Sequence, residues 1–429
     1  MSNLVQLGNI KPRNVRSGNG SAAMKMPAFR TPDLFVGRVQ LTDFRSYERM
    51  TLEPDGYPVV LTGPNGAGKT NILEALSFLS PGRGLRGCRL SDVSRLETGH
   101  PEMDNSGRND PRRNWAVAAR LETPDGTTEL GTGIISGQEP SELNGDGADS
   151  GVRDRRVVRI DGENGSSPAA FGDILQLAWL TPQMDRLFIE AASGRRRFLD
   201  RIVANFHSSH IREVNAYERV MRERNRLLQE GSGDISWLGA LESRMAEHGV
   251  AVAAARLDAL ARLAGAIEES TTGFPRATLG VDGLLEGGLM AGPALAVEDD
   301  FRQLLQDNRA QDGRRGRATA GPHKSDLLVR HRDKDIPAAL CSTGEQKALL
   351  IGITLASVRI TASCFGAAPV LLLDEVVAHL DRTRRHSLFD ELATLGSQVW
   401  LTGTDRLLFD ELGGRARYYR VENSKVTEE

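Results

Sequence analysis

Gly63-Pro64-Asn65-Gly66-Ala67-Gly68-Lys69-Thr70 places two glycines at the spacing of a phosphate-binding loop and closes with Lys and Thr. Val59-Val60-Leu61 predicts a strand before it, and Asn71-Ile72-Leu73-Glu74-Ala75-Leu76 a helix after it, which is the context the motif requires. In such a loop glycines let successive N–H groups turn toward the β- and γ-phosphates, with the positive end of the following helix behind them. Lys69 then supplies a point charge and Thr70 a ligand for Mg²⁺. The competing reading is a glycine-rich turn, which a chain with 45 glycines can make anywhere, but the strand and helix on either side favour nucleotide binding.

The 429 residues suffice for a large α/β domain and a second, smaller one. With 54 basic and 57 acidic residues and a formal charge of −3, nothing global marks a nucleic-acid or membrane partner, so any such surface must be local. Three cysteines, Cys88, Cys341 and Cys364, lack the paired spacing of a zinc site and predict buried thiols in a reducing compartment. No apolar run long enough for a bilayer and no secretory opening are read from the sequence, so a cytoplasmic protein without a membrane partner is expected.

Residues 1–33 lack periodicity and read as a disordered tail. Residues 34–200 read as the first half of a head, rich in antiparallel strands, with a polar loop over 136–153. Residues 201–310 read as a helical domain: Val214, Tyr217, Met221 and Leu228 share one helix face, and Gly231-Ser232-Gly233 joins two helices into a hairpin. Residues 311–429 read as the second half of the head, where strands and helices alternate and argue for a mostly parallel sheet. The whole is expected to be an α/β head with a mixed sheet and antiparallel strands, with the helical domain inserted between its halves.

Val370-Leu371-Leu372-Leu373 is a buried-strand pattern that delivers Asp374 and Glu375 at its carboxyl end, where open α/β sheets bind phosphates. Asp374 is expected to bind Mg²⁺ through water or Thr70, and Glu375 to orient or deprotonate the attacking water. Ser342-Thr343-Gly344-Glu345-Gln346 opens the preceding helix; its hydroxyl and free N–H groups form an anion site, although an ordinary N-cap with Glu three residues on fits as well. Asp381 closes the turn after the Asp-Glu strand. Arg45, in Asp43-Phe44-Arg45-Ser46-Tyr47, stands where an arginine reaches the nucleotide or remains a solvated loop residue.

Together these pieces resemble the ATP-binding-cassette superfamily, which is SMC-like in this form. Within it the chain is most similar to the RecF family of bacterial recombinational-repair ATPases. The resemblance runs from about residue 35 to the end and rests on Leu41 to Tyr47, the phosphate loop with Asn71 to Ala75, Arg195-Arg196-Arg197-Phe198-Leu199-Asp200, Arg224-Asn225-Arg226-Leu227-Leu228, Gly321-Pro322-His323-Lys324-Ser325-Asp326-Leu327, and the Ser342 and Asp374 motifs. It implies slow, DNA-stimulated ATP hydrolysis with Lys69, Asp374 and Glu375 as catalytic residues. ATP would be held by Gly63 to Asn71 and Arg45, and by Ser342, Gly344, Gln346 and Asp381; Mg²⁺ would be held by Thr70, Asp374 and Gln183. It also implies an ATP-dependent homodimer that binds single-stranded and gapped duplex DNA in repair and replication restart, works with mediators of the RecR and RecO type, and helps load recombinase.

The tail and the 136–153 loop depart from the family core. Thr402 or Thr404 stands where transporters carry a γ-phosphate-sensing His, and His323 and His379 have no second ligand at metal-binding spacing. A transporter ATPase is the first rival, disfavoured by the helical module between Thr70 and Ser342; a nuclease fused to such an ATPase is the second, disfavoured because Asp381 to Glu429 leaves no room for its metal-dependent domain. Asp333-Lys334-Asp335 reads as a solvated charged turn. The third rival is an SMC-like, nucleotide-gated DNA clamp without turnover. Arg195 to Arg197, Arg219 to Arg226 and Arg314 to Arg317 are the candidate DNA-phosphate contacts.

Overall fold

A computed structural model of the chain describes residues 28–95, 114–135, 155–165, 167–231 and 234–429. The tail expected over 1–33 and the loop over 136–153 fall mostly or wholly outside the described residues. The end of that tail is nevertheless docked: Phe29 packs on the head core and the Arg30 N–H donates to the Ala393 carbonyl at 2.9 Å.

Strands β1 (Phe35–Phe44), β2 (Tyr47–Leu52) and β3 (Val59–Thr62) come first, and β3 feeds helix α1 (Lys69–Ser77). Strands β4 (Ala116–Thr123), β5 (Gly126–Ile135), β6 (Arg155–Ile160), β7 (Glu163–Asn164) and β8 (Leu177–Leu180) follow. Helices α2 (Ala192–Ala204), α3 (His210–Glu230) and α4 (Ile235–Glu268) lead to β9 (Ala277–Asp282). Then come α5 (Leu284–Ala291), α6 (Ala294–Asp307), α7 (Arg309–Arg315), β10 (Asp326–His331) and β11 (Ile336–Pro337). The last part is α8 (Thr343–Phe365), β12 (Val370–Leu373), α9 (Arg382–Leu395), β13 (Val399–Gly403), β14 (Arg417–Glu422) and β15 (Lys425–Glu428).

The central sheet has the order β15-β14-β3-β13-β12-β8, parallel from β14 to β8 with β15 antiparallel at its edge. Strands β3, β13, β12 and β8 are buried along their whole length because both faces are covered. Val60, Leu371, Leu373, Val399 and Leu401 face a core built with α2, α8, α9 and the carboxyl-terminal part of α4. Val59, Leu61, Val370, Leu372 and Trp400 face a second core with α1 and the antiparallel sheet β2-β1-β4-β5-β6-β7. Gln398 stitches the two sheets at their junction: its amide accepts from the Val36 N–H at 2.9 Å and donates to the Val36 carbonyl at 3.1 Å.

A third core lies among α3, α5, α6 and the amino-terminal part of α4, so the 34-residue α4 belongs to two cores at once. The region 201–310, read as a helical domain, also holds a strand: β9 pairs with β10 and, through it, joins β11. Two further expectations change. The thiols are free as expected, but Cys364 is exposed. Among the described residues one helix, α8, is long and apolar enough to cross a membrane by length and composition, against the sequence reading; 67% of its apolar window is buried inside the head.

The helical module is locked by a buried charge network. Arg224 is fully buried and donates to Glu242 at 3.0 Å, to Asp312 at 2.8 Å and to the Leu305 carbonyl at 2.6 Å. Glu242 also accepts from Arg309, and Asp312 from the Thr319 hydroxyl and N–H. Removing one member of a buried pair strands the other, so Arg224→Leu is expected to cost about 3–5 kcal/mol in urea unfolding. Wild-type stability of the variant would show that the network is dispensable.

Candidate functional site

The phosphate loop is shaped by what touches it. Gly63 has φ 142, and a Cβ there would sit 2.1 Å from the Val421 carbonyl oxygen on β14. Gly68 has φ 113, and its Cβ would meet the Tyr47 hydroxyl, which donates to the Gly68 carbonyl at 3.1 Å. Only glycine permits both the backbone and the approach. Ser424, in the β14–β15 turn, donates its N–H to the Ala67 carbonyl at 3.2 Å, so the carboxyl-terminal hairpin buttresses the loop. Pro64, Asn65 and Gly66 are exposed at its tip, and no side chain caps the amino end of α1.

Lys69 is buried, and its Nζ donates to the carbonyls of Gly63 at 2.7 Å and Pro64 at 2.9 Å. Burial lowers its pKa, against the carboxylates of Glu375 and Asp374, which raise it. The Thr70 hydroxyl lies 2.9 and 3.1 Å from the two carboxylate oxygens of Asp374, joining α1 to the end of β12. Burial pushes the Asp374 carboxyl up, while the Thr402 and Thr70 hydroxyls pull it down. Glu375, the next residue, is half-buried and left-handed at φ 52. These groups form a cationic loop facing two carboxylates at the carboxyl ends of parallel strands, the arrangement phosphoryl transfer uses.

Gln183 is exposed in the turn after β8, the strand beside β12. Two residues on, Asp185 pairs with the buried Lys347 of α8 at 3.4 Å. Thr402 is buried behind Asp374, whereas Thr404 is exposed past the end of β13.

Several residues read as ligands are turned elsewhere. Arg45 does not face the loop: its guanidinium grips the fully buried Glu74 at 2.7 and 2.9 Å and reaches the Asp92 carbonyl at 2.6 Å. A buried carboxylate needs cations, and Arg86, from the segment after α1, supplies the second, at 2.8 Å, while also donating to Asn71 at 3.2 Å. Asn71 itself donates to Ser46 at 3.0 Å. Gln346 is buried, and its amide donates to the Cys341 carbonyl at 2.9 Å, shaping the turn before Ser342 rather than facing a ligand.

Ser342 is exposed and forms a full capping box with Glu345, whose carboxylate accepts from the Ser342 N–H and hydroxyl, each at 3.0 Å. Lys334 is not free in its charged turn: it pairs with Glu345 and, with Ser342, holds that carboxyl down at about 2. Arg384 donates to the exposed Gly344 carbonyl at 3.2 Å, and its N–H is accepted by Asp381, the N-cap of α9. Among the described residues no hydrogen bond or ion pair joins Ser342–Gln346 to Gly63–Thr70.

The basic triplet also resolves differently. Arg195 makes a bidentate pair with Asp326, both bonds 2.7 Å, and Arg196 donates to the Ser325 carbonyl at 2.7 Å; Arg197 alone of the three is exposed. Nearby, Arg256 donates to Asp200, to Glu286 and to the Pro322 carbonyl, and Tyr217 bonds His323 at 2.7 Å. Burial holds the His323 ring down at about 4, so it is not a cation at pH 7, and both ring nitrogens are occupied, by the Tyr217 hydroxyl and, at 3.1 Å, the Ala318 carbonyl.

A family profile described as an AAA domain matches residues 38–113. The DNA replication and repair protein RecF of Rhizobium johnstonii is 43% identical over 395 residues, which cover 92% of this chain and 98% of the relative. RecF of Brucella suis biovar 1 is 45% identical over 402 residues, covering 93% and 97%. A solved structure described as the recombination mediator protein RecF-ATP in the RecFOR pathway superposes with a TM-score of 0.73 at 18% identity, over 93% of this chain and 98% of that one. The corresponding RecF-ATPrS structure gives 0.72 at 19% identity, over 94% and 99%. At these identities the structural likeness is one of fold.

Gly63→Ala tests the buttress. A methyl group at that φ, against the Val421 carbonyl, must displace either the loop or β14, an expected cost of about 1–3 kcal/mol in denaturant unfolding. An unchanged midpoint would mean that the loop is not held from β14.

Proposed function

The chain belongs to the RecF family, and we propose that this DNA replication and repair ATPase works as a dimer closed by ATP, gripping DNA while nucleotide is bound. The observation that carries the ATPase reading is the Thr70–Asp374 contact, which brings residues 304 positions apart within 2.9 Å at the amino end of α1. In this reading Lys69 and the loop backbone bind the β- and γ-phosphates, and Glu375 takes the proton of the attacking water.

A divalent ion fits here on donor chemistry: Thr70 and Asp374 present hard oxygens, and Mg²⁺ takes few protein ligands beside phosphates. Gln183, at the end of the adjoining strand, is the further oxygen we assign to it. Held by Thr70, Asp374 and Gln183, the ion would supply charge neutralisation to the phosphates.

Ser342, Gly344 and Asp381 are exposed and unconnected to the phosphate loop of their own chain among the described residues, which supports a composite site. Each ATP would lie between the loop of one protomer and the Ser342 helix of its two-fold mate. Exposed arginines along α3, Arg219, Arg222 and Arg226, with Arg314, Arg315 and Arg317 around the end of α7, support phosphate contacts. The gapped duplex and single-stranded DNA, the RecR- and RecO-type partners and the recombinase-loading role belong to this proposal by family membership.

Mixing tests the composite site. Lys69→Met and Ser342→Arg homodimers should each be inactive, and a random mixture should recover roughly a quarter of wild-type ATPase, since half the dimers keep one intact site. No recovery, together with a monomer in ATP that hydrolyses at full rate, would rule the sandwich out. Glu375→Gln should bind ATP and dimerise yet turn over slowly; normal turnover would remove Glu375 from the mechanism. Changing Arg219, Arg222 and Arg226 to Gln should weaken binding to all DNA sequences alike and lower the slope of log K against log salt by about 0.9 per lost phosphate contact. An unchanged slope would move the DNA elsewhere.

A further inference from the structure

Thr402 lies on β13 with its side chain 1% exposed. In the β12–β13 register Leu373 stands opposite Leu401, so Asp374 and Thr402 are neighbours just beyond that rung. The Thr402 hydroxyl is 2.8 Å from Asp374 Oδ1 and 2.9 Å from the Glu375 backbone nitrogen. A hydroxyl has one proton and two lone pairs, and an N–H can only donate. The Glu375 N–H therefore donates to Thr402 Oγ1, which sends its own proton to Asp374.

The backbone makes this bond matter. The Asp374 N–H is held by the Leu180 carbonyl of β8, so the strand is anchored up to that residue. Glu375 then turns into the left-handed region at φ 52, where a residue with a Cβ does not rest without support. The bond to Thr402 fixes the turn at the residue that must aim its carboxylate. Thr70 also donates to Asp374, but that hydroxyl is shared with nucleotide chemistry, whereas the Thr402 hydroxyl is buried behind Asp374 and bonds the Asp374 carboxylate and the Glu375 N–H.

We propose that Thr402 is a positioning residue of the ATPase, whose single hydroxyl sets the direction of Asp374 and the backbone conformation of Glu375 together. The proposal rests on the reading of Glu375 as the residue that activates water. It separates Thr402 from any sensing of the γ-phosphate, since its hydroxyl proton and one lone pair are spent inside the protein.

The test is steady-state ATP hydrolysis by the full chain with Mg²⁺ and DNA, alongside ATP affinity. Thr402→Val keeps shape and removes the hydroxyl; kcat is expected to fall about tenfold or more while ATP affinity changes less than about threefold, the pattern of lost transition-state positioning. Thr402→Ser should restore kcat, and amide exchange should quicken at Glu375 in the Val variant but not in the Ser variant. If Val fails to fold, Thr402→Ala is read in the same way. Wild-type turnover in the Val or Ala variant overturns the proposal, as does equal loss in Val and Ser, which would make the side chain a packing element. Glu375→Gln, run in parallel, separates the two readings: if it hydrolyses normally, the failure is that of Glu375 as base; if it is slow while the Val variant is normal, the failure is that of Thr402.

Discussion

Strand β3 takes both of its described neighbours, β13 and β14, from the far end of the chain. This interleaving is the constraint on which the rest of the molecule depends. The phosphate loop leaves β3 and Asp374 ends β12, one strand beyond β13, so the site exists only when the two halves of the sequence have formed a single sheet. The helical module is an excursion between the halves, not a break in the head. Closing so long an excursion costs chain entropy that grows only slowly with its length, and the two apolar faces of the sheet repay it.

What could be read from the sequence is what neighbours in the chain determine. The loop glycines, the strand before them and the paired carboxylates are local patterns, and the structure brings Thr70, Asp374 and Glu375 together. The Ser342 capping box is equally local. Arginines were misjudged because their partners are remote: Arg195 meets Asp326 and Arg45 meets Glu74, and spacing reveals neither acid. Lys334 was hidden for the same reason, its turn being charged on both sides while its partner Glu345 lies beyond β11. Strand β9 was missed because apolar helices flank it and its pairing arises from β10, after three more helices. The carboxyl-terminal strands, β15 at the sheet edge and β14 with the buttress under Gly63 beside it, carry alternating charges and offer no buried-run signal.

Two of the family-specific words, Arg195 to Asp200 and Gly321 to Leu327, lie far apart in sequence and meet at one joint. Arg195, Arg196 and Asp200 of α2, Arg256 of α4, Glu286 of α5 and the segment 321–326 share a nearly closed set of bonds between the helical module and the head. Buried ions are stable only when each finds its counter-charge, so the words are interdependent: altering one strands its partners. This accounts for arginine-rich sequence inside a protein rather than on a nucleic-acid surface, and leaves Arg197 as the outward member of its triplet.

Helix α4 gives the joint a mechanical character. Its 34 residues span roughly 50 Å at about 1.5 Å per residue, with one end in the module's core and the other against α8, the helix that Ser342 begins. A rod clamped at both ends transmits tilt rather than absorbing it. A rotation of about 5° at the head end displaces the far end by roughly 4 Å, as follows from that length. Small adjustments beside α8 are thereby geared up into larger movements at the module's tip, and a load on the tip is returned to the head as torque.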